Sequence, residues 1–521
     1  MKKIMNTMAA AAALTMVLVG CTSEFEEYNT NPDGPTPEQM EADNAATSSL
    51  VRTSLTTLCQ MQQNAVQDIE QLVGGDYGGM MAPVQSWNNY ADGFTNLDIS
   101  VIGTHNATLF DMTMPAFYTP YFKVRDISNG EGVVFHWMNI IRVGAMIRVS
   151  DTYGPIPYSK ITGDSFSTPY DDMPELYQAM LADLDAAIDY LTPIASTEPV
   201  IASLKDADAV YGGNFNKWVK FANTLKLRLA VRMAEVDGTL AQKIAEEAAN
   251  HPIGTTSDVS DRAESNDHDQ SMNGFYRISH NWNSGDGEVR ISNNITCYMN
   301  GYNDPRISKY AEQSATGDYN GIPHGLAKGN RDPYKAASNL NISQSDPMLI
   351  MSAAESYFLK AECAVRGWNM GNSAQNLYEQ GIKVSMQEHG VEIGNYLEGT
   401  TAPASYSDNI GSNSQSNPSS ITVKWNEGDS NDQKYERIFV QKWLANFPNG
   451  WETWTDRRRT GYPRFFRPVT TMGSSAGLSD IMRRLPYPES EYLTNSENVA
   501  AAVQMIGGSD SYGTKLWWVT Q

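Results

Sequence analysis

The stretch Ala353-Ala-Glu-Ser-Tyr-Phe-Leu-Lys-Ala-Glu-Cys-Ala-Val-Arg-Gly-Trp368 decides the fold. Ala354, Tyr357, Ala361 and Ala364 recur at the spacing of a helix face, and small residues on such a face let a second helix come close. Gly371 turns the chain, and Leu377, Gly381 and Val384 carry the same period back. The spacing predicts helices over 348–368 and 373–389, packed as a hairpin of the tetratricopeptide type.

The pattern extends in both directions. Pro174 opens a helix with Leu176, Met180, Leu184, Ala187 and Leu191 on one face, and proline suits a first turn. Trp218, Phe221, Leu225, Leu229 and Val236 make the next, closed by Gly238, and Thr239 with Gln242 reads as a capping box for a short helix to Asn250. Val51, Leu55, Leu58, Ala65, Ile69 and Leu72 read as one long helix ended by Gly74-Gly75. Another runs from Gly132 through Val134, Trp137, Ile141, Ala145 and Arg148, and stops at Asp151-Thr-Tyr-Gly-Pro-Ile-Pro-Tyr158. Residues 433–447 form the last strong helix, while 76–132, 251–346 and 399–420 read as irregular. Brief connections imply antiparallel helix pairs, although no clean period of about 34 residues is visible. The fold class is mainly α, with tetratricopeptide-like helical hairpins and long irregular loops.

A chain of 521 residues is long for one core, so more than one packed layer is expected. Its 60 acidic against 38 basic residues, net −22, repel phosphate backbones and exclude nucleic acid as a partner. Residues 1–20 read as a secretory leader: Lys2 and Lys3 precede an apolar run too short to span a bilayer. Leu18-Val-Gly-Cys21 matches the bacterial lipobox, in which the Cys21 thiol is acylated and becomes the first residue. Residues 21–46 then form a lipid-anchored tether, and 47–521 a single helical domain. Cys59, Cys297 and Cys363 allow at most one disulfide, and Cys59 and Cys363 read as buried small hydrophobes.

Catalytic motifs are sparse. Gly473-Ser-Ser-Ala-Gly477 fits G-x-S-x-G, but no histidine follows His389, and an elbow of that kind needs one after the acid; it reads as a surface loop. The seven histidines show no zinc-ligand spacing, and His136 beside Trp137 reads as a satisfied structural residue. Asp258, Asp261, Glu264, Asp267 and Asp269 lack the ordered spacing of a calcium loop and read as a solvated acidic segment. No cofactor is implied. Trp451 to Arg459 (WETWTDRRR) reads as a buried or half-buried salt-bridge network. Paired carboxylates for glycoside hydrolysis carry no motif, so a surface glycosidase is the alternative reading. Two segments place Trp among amides outside any helical period: Trp87, Asn88, Asn89 and Tyr90, and Asn281, Trp282 and Asn283. Indole rings stack on the apolar C–H faces of sugars while amides bond their hydroxyls, so these seven residues are the candidate ligand contacts.

Taken together, Ser150–Tyr158, AAESYFLKAECAVRGW (353–368), WTDRRRTGYP (454–463), RLPYPESEY (484–492) and KLWW (515–518) resemble a divergent subgroup of the SusD/RagB family of Bacteroidetes outer-membrane lipoproteins. The resemblance implies a SusD-like fold and a non-enzymatic cell-surface protein that sits as a lid on a SusC-like TonB-dependent transporter. Such a protein captures oligosaccharide, or in some relatives peptide, and hands it to the pore. It also implies that the shared motifs are scaffold, and that Trp87 and Asn88 occupy a place comparable to a ligand-contacting loop. Glu24, Glu26 and Glu27 resemble the acidic signal that places such lipoproteins on the outer face of the cell.

Overall fold

A computed structural model describes residues 45–84, 94–103, 105–165, 167–267, 272–326, 331–472, 478 and 481–520. The chain divides into a short N-terminal unit, Met1–Ser49, and a body, Leu50–Gln521. The leader, Cys21, the tether and the Gly473–Gly477 stretch lie outside the described residues.

The first helix, α1 (Ala45–Leu55), is followed by turns and then by a π-helix, Val66–Gly75. Next come α2 (Thr108–Ser128) and α3 (Gly132–Tyr153). Every residue of α3 from Trp137 to Tyr153 is buried, which is the position of a helix enclosed by its neighbours. Its polar members are paired rather than solvated. Arg148 reaches both Glu70 carboxylate oxygens at 2.8 and 2.7 Å, and Arg142 reaches Asp183 at 3.1 Å. Around α3 pack α2, α4 (Met173–Thr197) and α5 (Phe215–Met233), and α6 (Gly238–Ala249) packs on α5.

Helix α7 (Asn293–Tyr302) precedes the hairpin of α8 (Glu355–Val365) and α9 (Ala374–Glu388), and α10 (Asn431–Ala445) packs on α8. At Gly381 an added Cβ would lie 2.8 Å from the Phe358 ring, so the glycine is what lets α9 close on α8. Beyond these lie α11 (Trp451–Thr460), α12 (Glu489–Thr494) and α13 (Ser496–Met505). Two antiparallel ribbons complete the body: β1 (Met81–Pro83) with β3 (Val289–Ile291), and β2 (Ala263–Ser265) with β4 (Met348–Met351).

Several sequence expectations are corrected. The first long helix is broken between Leu55 and Gln63, so Cys59 sits in a turn, although it is buried, as are Cys297 and Cys363, all three free thiols. Residues 108–128 are helical rather than loop. Pro115 and Pro120 each remove a backbone donor, but Leu109, Phe110, Met114, Phe117, Tyr118, Tyr121 and Val124 bury one face and offset that cost. Residues 348–351 form β4 instead of the first turn of α8. Asp237, not Thr239, caps α6 by accepting from Leu240 N. Three helices follow 447 where none was expected. Three acids of the run are paired rather than solvated: Asp261 is buried against Lys220 at 3.0 Å, Glu264 meets Arg262 at 2.8 Å, and Asp267 meets Arg52 at 2.9 Å, while Asp258 is exposed as expected and Asp269 lies outside the described residues. His136 stacks on Tyr190 at 4.2 Å, yet its buried Nδ1 has no hydrogen-bond partner.

The arginine-rich Trp451–Arg459 stretch is the buried network its composition implied. Arg228 is bidentate to Glu355 at 2.7 Å, and Arg232 joins Asp151 and Glu452 at 2.7 and 2.9 Å. Lys442 pairs with Asp456 at 2.9 Å, and Arg459 reaches Glu362 at 2.6 Å. The motifs quoted above converge nearby. Arg458 donates to the Asp151 carbonyl and lies 3.7 Å over the Trp454 ring and 5.0 Å from that of Trp518. Arg484 donates to the Tyr153 carbonyl at 2.6 Å, and Tyr487 Oη to that of Pro155 at 2.8 Å. Their residues satisfy backbone carbonyls where α3 ends, so these motifs are scaffold.

Candidate functional site

The β1–β3 ribbon brings together the roots of both Trp/amide segments. Met81 pairs with Ile291 and Pro83 with Val289, and the Val84 amide donates to the Glu288 carbonyl at 2.8 Å. One segment therefore leaves the ribbon at Val84, and the other enters it through Glu288. Trp87, Asn88, Asn89 and Tyr90 lie outside the described residues, as does the side chain of Asn283.

A one-turn π-helix, Arg277–Asn281, ends at Trp282. The Trp282 carbonyl accepts from Gly285 N at 3.2 Å and Gly287 N at 3.1 Å, which closes the loop. Gly287 has φ +68°, and an added Cβ would lie 1.9 Å from the Ser279 carbonyl oxygen, so only glycine fits that turn. Asn281 is exposed, and Trp282 is half-buried against the core. Tyr276 and His280 stack at 5.0 Å with 9° between their planes, immediately before this pair. This second aromatic platform was missed in the sequence, because a four-residue spacing inside a π-turn does not stand out from a loop.

Next to β1, which His324 joins through the Met81 carbonyl, is a small polar cavity of about 20 Å³, room for about one water. Asp76 and Tyr77 line it from the end of the π-helix, with Phe94 and Leu97 from the segment that returns after residue 93. Asp76 is buried; its Oδ1 accepts from Gln71 at 3.1 Å, while Oδ2 and the Tyr77 hydroxyl have no hydrogen-bond partner. Burial pushes the Asp76 carboxyl well above the usual range, against the hydrogen bond from Gln71 and the nearby Arg331 charge. His324 Nε2 donates to the Met81 carbonyl at 3.1 Å, and burial together with Arg457 lowers its pKa to about 4, so the imidazole is neutral. Leu97 holds φ +62°, a strained conformation for a branched side chain. Strain, an unmet carboxylate oxygen and a neutral histidine thus gather beside β1, in the manner of preorganised functional sites.

Among the described residues, no group of three or more His, Cys, Asp or Glu is placed to hold a metal ion, and no helix is long and apolar enough to cross a membrane. The acid nearest the ribbon, Glu288, accepts from Gln67 at 2.8 Å, and burial raises its pKa.

A family model described as SusD-like, of SusD and RagB outer-membrane lipoproteins, matches residues 27–519. Solved structures share the fold over nearly their whole length. A SusD homologue from Bacteroides uniformis is 37% identical with a TM-score of 0.85, covering 91% of this chain and 99% of that one. A SusD-like protein from Bacteroides thetaiotaomicron is 35% identical with a TM-score of 0.83 and the same coverage. A chitin-binding SusD homologue from Flavobacterium johnsoniae is 31% identical, again with a TM-score of 0.83, covering 91% and 99%. No curated protein matches the chain.

Proposed function

We propose a nutrient-capture function for this chain, which belongs to the SusD/RagB family of outer-membrane lipoproteins. It binds an oligosaccharide at the ribbon loops and hands it to a SusC-like TonB-dependent transporter, without turning it over. The acyl group on Cys21 holds it at the cell surface. The observation that carries this reading is the shared root of the two Trp/amide segments, joined by the 2.8 Å bond between Val84 and Glu288. An indole, Trp282, beside an exposed amide, Asn281, at the end of a strand pair is suited to a sugar ring with its hydroxyl rim. The likeness to a chitin-binding homologue at 31% identity makes N-acetylglucosamine oligomers the first ligands to test.

The purified full chain, incubated with neutral and acidic glycans and with short peptides, is expected to bind at least one glycan and to release no product. Cleavage of the bound glycan, detected by chromatography of the same sample, points to the glycosidase alternative instead. Binding confined to peptides replaces the ligand class.

A further inference from the structure

A larger cavity, about 560 Å³ in volume, shares no lining residue with the cavity beside β1, and its size is that of a small-molecule site. Buried Phe275 and Tyr310 contribute apolar surface to its wall. Three cations enter from separate segments: Lys217 of α5, Arg262 just before β2, and Lys309 of the short helix Ile307–Tyr310. Three acids line it as well, but each is already held. Glu264 accepts from Arg262 Nε at 2.8 Å, Asp346 from Ser343 N at 2.9 Å, and Glu388 from Ser352 Oγ at 2.7 Å and Ala353 N at 2.8 Å.

The cations are not matched in the same way. Lys217 donates to the Ser260 carbonyl, and among the described residues neither Lys217 nor Lys309 forms an ion pair. Arg262 Nη1 is buried without a hydrogen bond, 3.7 Å from Glu388. Lys217 is half-buried and Lys309 exposed at the rim, so on a chain of net −22 this wall offers two ammonium groups with no carboxylate partner among the described residues. His389, also in the wall, adds an acceptor. Tyr310 Oη donates to the Leu444 carbonyl at 2.7 Å, so it accepts from His389 Nε2 at 3.0 Å and leaves Nδ1 as the lone-pair nitrogen. Burial, with Arg262, Arg306 and Lys309 nearby, holds that imidazole neutral.

The geometry points to a second binding site, for an acidic sugar of the uronic-acid class, whose carboxylate engages Lys217 and Lys309 and whose hydroxyl donates to His389. A neutral sugar offers these ammonium groups no counter-charge, whereas a carboxylate forms charge-assisted bonds with them. This site is separate from the ribbon loops, since none of its lining residues belongs to them.

Calorimetric titration of the full chain with digalacturonate and a glucuronate-containing disaccharide tests it, with maltose, diacetylchitobiose and a tripeptide as comparisons. At least one acidic sugar is expected to bind, more weakly at high salt. The double substitution Lys217→Met/Lys309→Met should weaken that binding by about tenfold or more, from the loss of charged hydrogen bonds. Thermal unfolding of the variant should match the wild type, and any neutral-glycan binding at the ribbon loops should persist. Failure of every acidic sugar to bind overturns the proposal. So does equal affinity for maltose, binding confined to the tripeptide, or an affinity for acidic sugars that the double variant leaves unchanged.

Discussion

Glu452→Gln is expected to lower the stability of the fold by about 3–5 kcal/mol, the range found when one partner of a buried ion pair is removed. The Glu452 carboxylate accepts from Arg232 at 2.9 Å and lies 3.5 Å from Arg228 and 3.7 Å from Lys442. Burial alone raises its pKa, but Arg228, Arg232 and Lys442 prevail and hold it well below the usual carboxylate range. An amide keeps the shape and loses the charge, which leaves these cations short of a counter-ion where water cannot help. Because the folded-state pKa is depressed, this stabilisation is present above the unfolded value of about 4.3 and fades as the pH falls through the folded value. The gap between variant and wild type in urea unfolding should therefore be full at neutral pH and shrink in acid. A loss below about 1 kcal/mol at neutral pH, typical of exposed pairs, is the result that sinks this account of the network.

A comparable loss, about 3 kcal/mol or more, is expected for Gly450→Ala, at the upper end of overpacking costs. An added Cβ there would lie 2.0 Å from the Gly74 carbonyl oxygen, and one at Gly78 would lie 2.5 Å from the Gly450 carbonyl oxygen. Backbone meets backbone at this crossing, so no side-chain rotation relieves the clash. The contact holds the π-helix against the start of α11, and that π-helix leads directly into Asp76, Tyr77 and β1. Gly238→Ala is the internal control, since a Cβ there meets nothing within 4 Å, and it should be neutral or slightly stabilising. Equal urea midpoints for the two variants are incompatible with the crossing as described.

Periodicity revealed the elements whose burial is one-sided or complete: α3, the α8–α9 hairpin, and the faces of α4, α5 and α10. It failed where a local signal opposed the tertiary outcome. Pro115 and Pro120 disguised α2, whose buried face outweighs two lost backbone bonds. Met348-Leu-Ile-Met351 is a short continuous apolar run, which reads equally as strand or helix until a partner is known. The π-helix at 66–75 leaves no mark in a pattern with a period near 3.6. At the candidate site, Trp282 was legible because an indole among amides outside a helical period is unusual. Asp76, Tyr77 and His324 were not, because separate segments of the chain bring them together beside β1.

Ligand capture at the ribbon loops is tested by calorimetric titration of the full chain and of its Trp87→Ala and Trp282→Ala variants with the glycan it binds. Saturable binding by the wild type is expected, with a loss of about five- to tenfold in at least one variant, from removal of a stacking surface of about 1–1.4 kcal/mol, and with thermal unfolding unchanged. Affinity unaltered in both variants would contradict the assignment of ligand capture to the ribbon loops.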